Sequence, residues 1–141
     1  MSFPEILVLS RSKAKQFECE VPWACISIAD GDNDWPKLSK FQQVDLLQLH
    51  FLDKDVFEDG MEGELFSSRH AKKIFDFVEK NLGKIEVLML HCYAGVSRSP
   101  AVAAALSKVY LNSDEAYFKK FVPNMLVYRT MLETRFLEQN P

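Results

Sequence analysis

The stretch Val87-Leu88-Met89-Leu90-His91-Cys92-Tyr93-Ala94-Gly95-Val96-Ser97-Arg98-Ser99-Pro100-Ala101 decides how this sequence is read. Four apolar residues run into a histidine and a cysteine. A short loop follows, with Gly95 near its middle. Then come Arg98, Ser99, Pro100 and an alanine-rich run with the composition of a buried helix. A strand that feeds a loop at a helix N-terminus aims several backbone N–H groups at one point, with the helix dipole behind them. Such a cradle suits a phosphate dianion. Gly95 permits a backbone conformation that a side chain would oppose. Pro100 fits the first helical turn, where its missing N–H is not needed. Arg98 can grip two phosphate oxygens with its planar fork. Cys92 lies in the same positive field, which favours its thiolate form. A thiolate beneath a bound phosphate is placed for attack on phosphorus. The cysteine-to-arginine spacing alone carries little weight. The strand before it and the helix after it argue against the plain alternatives, an inert buried cysteine and a surface arginine.

Working outward, residues 5–9, 24–29, 44–51 and 87–90 read as strands. They are apolar on both faces, which suits a parallel sheet covered by helices. Helical patterns lie between them. Ser10 is placed to cap a helix reaching residue 19. Ser67 is placed to cap a longer one to residue 82, with Ile74, Phe75, Val78 and Leu82 on one face and Gly83 as its stop. A third helix is expected over 99–111. Ser113 is placed to cap a short helix to 121, and Asn124 a last one to 138. This order predicts an α/β fold: a mostly parallel sheet of four to five strands flanked by helices, with the phosphate-binding loop between the last core strand and a helix. Two connections resist a regular reading, residues 30–36 and 53–63. Both are acidic, and long loops after strands are where α/β proteins place their chemistry.

Composition sets the limits. The 141 residues fit one domain, 1–141. Apolar residues make up 48%, charged residues 26% and aromatics 12%, which are globular proportions. The net charge of −3 disfavours a dedicated nucleic-acid binder. Three cysteines are too few, and odd in number, for a disulfide-stapled scaffold. The run Ile6-Leu7-Val8-Leu9 has no basic residues before it and is too short for an export signal. No window approaches the ~18 apolar residues of a membrane span. A cytoplasmic protein that does not engage membranes is expected. Asp30, Asp32 and Asp34 echo a calcium loop, but the later glycine and bidentate glutamate are missing, so a solvated loop is favoured. His50 and His70 form no metal-ligand spacing with the cysteines. No metal and no cofactor are expected. Cys19, Cys25, Trp23 and Trp35 read as packing residues, although a protective disulfide from Cys19 or Cys25 to Cys92 stays open.

The loop His91-Cys92-Tyr93-Ala94-Gly95-Val96-Ser97-Arg98-Ser99 resembles the signature loop of cysteine-dependent protein tyrosine phosphatases, most of all their compact dual-specificity branch. The resemblance extends over roughly residues 44–138, including the strand Leu46-Leu47-Gln48-Leu49-His50-Phe51-Leu52-Asp53 and the Pro123-Asn124 pair before the last helix. It implies that Cys92 is the nucleophile and forms a phosphocysteine. Arg98 and the backbone N–H groups of Tyr93, Ala94, Gly95, Val96, Ser97 and Arg98 would hold the phosphate. Ser99 would hydrogen-bond the cysteine sulfur and help it leave. His91 would order the loop as a support residue. The leaving oxygen needs a proton, for which an Asp or Glu on a nearby loop is the usual donor. Asp53 matches the family's general acid by position. Asp55 is the alternative, with Glu58 and Asp59 behind it.

The loop interior carries no lysine or arginine, unlike many relatives that act on highly phosphorylated lipids or RNA ends. A chain of 141 residues also leaves no room for the added loop that deepens the pocket of the large tyrosine phosphatases. Phosphotyrosine in proteins, with tolerance for phosphoserine and phosphothreonine, is the expected substrate, and Tyr93 is placed to line the entrance. Low-molecular-weight tyrosine phosphatases share the Arg-Ser-Pro ending but put their loop at the N-terminus. Two further alternatives are a rhodanese-like sulfur transferase and a phosphate-dependent binding module with little turnover.

Overall fold

The computed structural model describes residues 2–140. Four strands, β1 (Glu5–Ser10), β2 (Trp23–Ala29), β3 (Gln43–His50) and β4 (Val87–Cys92), form one sheet in the order β1-β4-β2-β3. Every pairing is parallel. The two central strands, β2 and β4, are buried along their whole length, as their unbroken apolar runs predict. The edge strands β1 and β3 are only partly buried.

Five helices accompany the sheet: α1 (Arg11–Gln16), α2 (Ser68–Asn81), α3 (Arg98–Leu111), α4 (Glu115–Lys120) and α5 (Met125–Gln139). Side-chain alternation along β2 and β4 sorts the core into two layers. Ala24, Ile26, Ile28, Leu88 and Leu90 join α2, α3 and α5 on one face. Trp23, Cys25 and Met89 join Ala14 of α1 on the other. The alanines at 101 and 103–105 are fully buried, so α3 lies close against its neighbours and is apolar nearly all round.

Two helix boundaries depart from expectation. The helix capped by Ser10, whose side chain accepts from the Lys13 N–H, ends at Gln16 and does not reach residue 19. Phe17 turns extended there, and its ring meets Trp23 edge-on at 4.9 Å. Burying that ring outweighs one more helical turn. Ser113 does not cap α4. Its N–H and C=O are both tied to Ser107, and Asp114 takes the cap position. Asn124 does cap α5, accepting from the Val127 N–H at 3.1 Å.

A parallel sheet places the C-terminal ends of all its strands on one edge. The register pairs Ser10 with Cys92, and Ala29 with His50. The segments that follow β1, β2, β3 and β4 therefore converge at that edge.

Candidate active site

The loop after β4 is built by its carbonyls. Tyr93 C=O accepts from the Arg11 N–H at 3.0 Å, and Val96 C=O from the Val122 N–H at 3.1 Å. Ser97 C=O accepts from the N–H groups of Ala101 at 3.2 Å and Asn124 at 3.0 Å. In a planar trans peptide the N–H points opposite to the C=O. The N–H groups of Ala94, Ser97 and Arg98 are thereby turned away from these outside partners, toward the interior of the loop. Gly95 has φ +73°, and a Cβ there would lie 2.7 Å from the Ser10 nitrogen. Both the conformation and the close approach of β1 exclude a side chain.

Cys92 closes the floor of this loop and is 2% exposed. Its Sγ lies 3.1 Å from the Ser99 Oγ and 3.5 Å from the Ser99 N–H nitrogen. Those are two donors for a thiolate. His91 is fully buried behind it. Its Nδ1 is 3.4 Å from the Cys92 carbonyl, which can only accept, so Nδ1 carries the proton. Its Nε2 then accepts from the Ser27 hydroxyl at 2.5 Å. Burial pushes the His91 pKa down to about 4, and the charges of Arg11 and Arg98 act in the same direction. The imidazole is therefore neutral near pH 7 and acts as a strut between β2 and the loop.

Arg98 is 4% exposed. Its Nη1 donates to Asp30 Oδ1 at 2.6 Å and to the Phe51 carbonyl at 2.9 Å. Its Nε is buried with no hydrogen-bond partner. Both contacts use Nη1, which leaves the Nε–Nη2 edge for a ligand. That edge is the one with the spacing of two phosphate oxygens. An unsatisfied buried N–H of a cation is costly to leave, so an anion is the natural occupant.

Asp53 faces the loop from the segment that follows β3. Its Oδ1 accepts from the Ser97 hydroxyl at 2.8 Å and from Asn124 Nδ2 at 3.0 Å. Asn124 also donates to Lys54 C=O at 3.2 Å, so one side chain caps α5 and holds the acid's backbone. Cys92, Tyr93, Ala94, Val96, Ser97, Arg98, Asp30, Leu52, Asp53 and Lys54 line one cleft of about 630 Å³. Tyr93, 71% exposed, stands at its mouth. Asp55, Glu58 and Asp59 do not line it.

Sequence reasoning missed Asp30 and half of what Asn124 does. The loop is solvated as expected, with Asp30, Asp32 and Asp34 all exposed, but Asp30 also holds Arg98 and Asp34 holds Arg11. The acidic clustering was visible, but its partners lie 68 and 23 residues away. A disulfide from Cys25 to Cys92 would have to cross the sheet. Cys25 contacts Met89 on the α1 face, whereas Cys92 belongs to the opposite layer. Cys19 packs on the same face as Cys25, and all three thiols are free. Burial pushes the Cys25 thiol pKa far up, so it is unreactive.

Sheet order, loop and flanking helices together give the compact fold of dual-specificity-type cysteine phosphatases. A search of solved structures finds that fold across nearly the whole chain. The human tyrosine phosphatase-like serine/threonine/tyrosine-interacting protein superposes with a TM-score of 0.68 at 19% identity, covering 95% of this chain and 93% of its own. Human DUSP28 gives 0.62 at 14% identity, covering 97% and 95%. PTPMT1 in complex with PI(5)P gives 0.58 at 14% identity, covering 96% and 93%. No family model and no curated protein matches the sequence. Among the described residues, no helix is long and apolar enough to cross a membrane.

Proposed function

We propose that this chain is a cysteine-dependent phosphatase acting on phosphomonoesters, with phosphotyrosine in proteins as its main substrate. One observation carries the reading. Cys92, Arg98 and Asp53 line one cleft, the buried Nε of Arg98 has no partner, and Ser99 Oγ lies 3.1 Å from the Cys92 sulfur. In the first step the Cys92 thiolate attacks phosphorus. The S–P bond forms, the P–O bond to the leaving group breaks, and Asp53 gives that oxygen its proton. In the second step water attacks phosphorus, Asp53 takes the water's proton, and the S–P bond breaks to release phosphate. Ser99 hydrogen-bonds the departing thiolate. Arg98 and the loop N–H groups stabilise the charge on the equatorial oxygens in both steps.

Among fold neighbours, one is described as phosphatase-like and interacting, and another holds a phosphoinositide. Two features of this chain favour turnover on protein substrates. Nucleophile, arginine, hydroxyl and carboxylate are all present, and residues 93–97 carry no Lys or Arg to grip a second lipid phosphate. The exposed Tyr93 ring offers a stacking surface at the cleft mouth for a phosphotyrosine. The test is hydrolysis of para-nitrophenyl phosphate across pH with EDTA present, followed by a phosphopeptide panel. Wild type should turn over with a bell-shaped profile and Cys92→Ser should not. Oxyanion binding without turnover in the reduced wild type would leave a binding module instead.

A further inference from the structure

The segment after β2 borders the cleft and is pinned at three points. Asp30 receives the Arg98 Nη1 hydrogen bond at 2.6 Å. Asp34 meets Arg11 through its carbonyl and its carboxylate. Trp35 Nε1 donates to the Leu49 carbonyl of β3 at 3.0 Å. Asp30 itself stands at the strand end beside Phe51, whose N–H donates to Ala29 C=O at 3.1 Å. The Asp30 carboxylate and the Phe51 carbonyl therefore reach the same guanidinium nitrogen from neighbouring strands. A guanidinium nitrogen of that type has two hydrogens, and both are taken.

Resting on the reading above, we infer that Asp30 is a positioning residue. It clamps Nη1 so that the planar guanidinium is held in one orientation, with its Nε–Nη2 edge presented to the phosphate. The arrangement explains an otherwise odd feature. An acidic side chain, 62% exposed, lines a cleft meant for a dianion. Its repulsion of the ligand is offset because it makes the cation's fork rigid before the ligand arrives, and rigidity in advance is where binding gains most. Asp32, exposed in the same segment, makes no such contact and serves as the control.

The test is tungstate affinity by isothermal calorimetry, run beside KM and kcat for para-nitrophenyl phosphate. Variants are Asp30→Ala, Asp30→Asn and Asp32→Ala, each checked for folding by circular dichroism. Asp30→Ala should weaken tungstate about tenfold and raise KM in parallel, the scale of one charge-assisted hydrogen bond. Asp30→Asn keeps an acceptor at the same place and should recover most of that loss. Asp32→Ala should match wild type. Unchanged or tighter tungstate binding in Asp30→Ala overturns the inference, because Asp30 is then only a repulsive charge. Asparagine performing no better than alanine overturns it too. The tungstate measurement stands even if wild type shows no turnover, so failure of the proposed activity and failure of the clamp are told apart.

Discussion

Two loops meet at the candidate site, and they are held in opposite ways. The phosphate loop, residues 93–97, has its carbonyls fixed by α1, α3 and the segment before α5. Its glycine is wedged against β1, and its flanking cysteine and arginine are almost fully buried. The acid loop, residues 53–63, is held at its two ends. Leu52 N–H donates to Glu64 C=O at 2.8 Å across its neck, and Asp53 is bonded to Ser97 and Asn124. Between those points nearly every residue is exposed, including Phe57 at 68% and Val56 at 59%. A cradle that binds a charged group in one geometry needs rigidity. A loop that must admit a substrate and then bring a proton to it needs freedom, and segments with few buried contacts open most readily.

The contrast makes graded predictions. Asp53→Asn should cut kcat by about 10²–10⁴-fold, the usual worth of acid catalysis, with little change in stability. Asp55→Asn should leave kcat near wild type, and the reverse pattern would move the acid two residues along. Next comes the strut behind the cradle. The unfolded His91 titrates near 6.5, and the folded one near 4, so between these values the unfolded state binds more protons. Folding stability should fall as pH drops through that window, by on the order of 3 kcal/mol from this group. Urea unfolding at pH 7 and pH 4.5 should show the slope in wild type and a smaller one in His91→Gln. Gly95→Ala should cost about 1–3 kcal/mol and weaken oxyanion binding, through backbone strain and the clash with Ser10. Phe57→Ser, in the exposed loop, should change stability by no more than about 0.5 kcal/mol. A larger loss there would mean the acid loop is packed as firmly as the cradle.

Legibility in the sequence followed locality. The strand, loop and helix from Val87 to Leu111 carry their own instructions: an apolar run, a glycine at the turn, a proline in the first helical turn. The capping residues Ser10 and Asn124 were equally local. Helix α1 stopped early because Phe17 is drawn to Trp23, a contact set by the fold and not by the helix itself. Ser113 lost the cap position to Asp114 in the same way, because its backbone is tied to Ser107. Asp30 is solvated as its loop predicts, but its contact with Arg98 is not legible in the sequence, for the clearest reason. Its charge was visible, but its partner, 68 residues on, becomes a neighbour only when β2 and β4 pair. The separation of Cys25 from Cys92 likewise depends on which sheet face each strand residue takes, a matter of register.

The most direct test of the account asks where the phosphoryl group goes. Wild-type protein would be mixed with an aryl phosphate, quenched in acid within the first turnovers, and mapped by peptide mass spectrometry. The account predicts a phosphoryl group on the peptide containing Cys92, formed in a burst, accumulating further in Asp53→Asn when a good leaving group is used, and absent from Cys92→Ser. A phosphoryl group on Ser99, or steady turnover with none on Cys92, would contradict it.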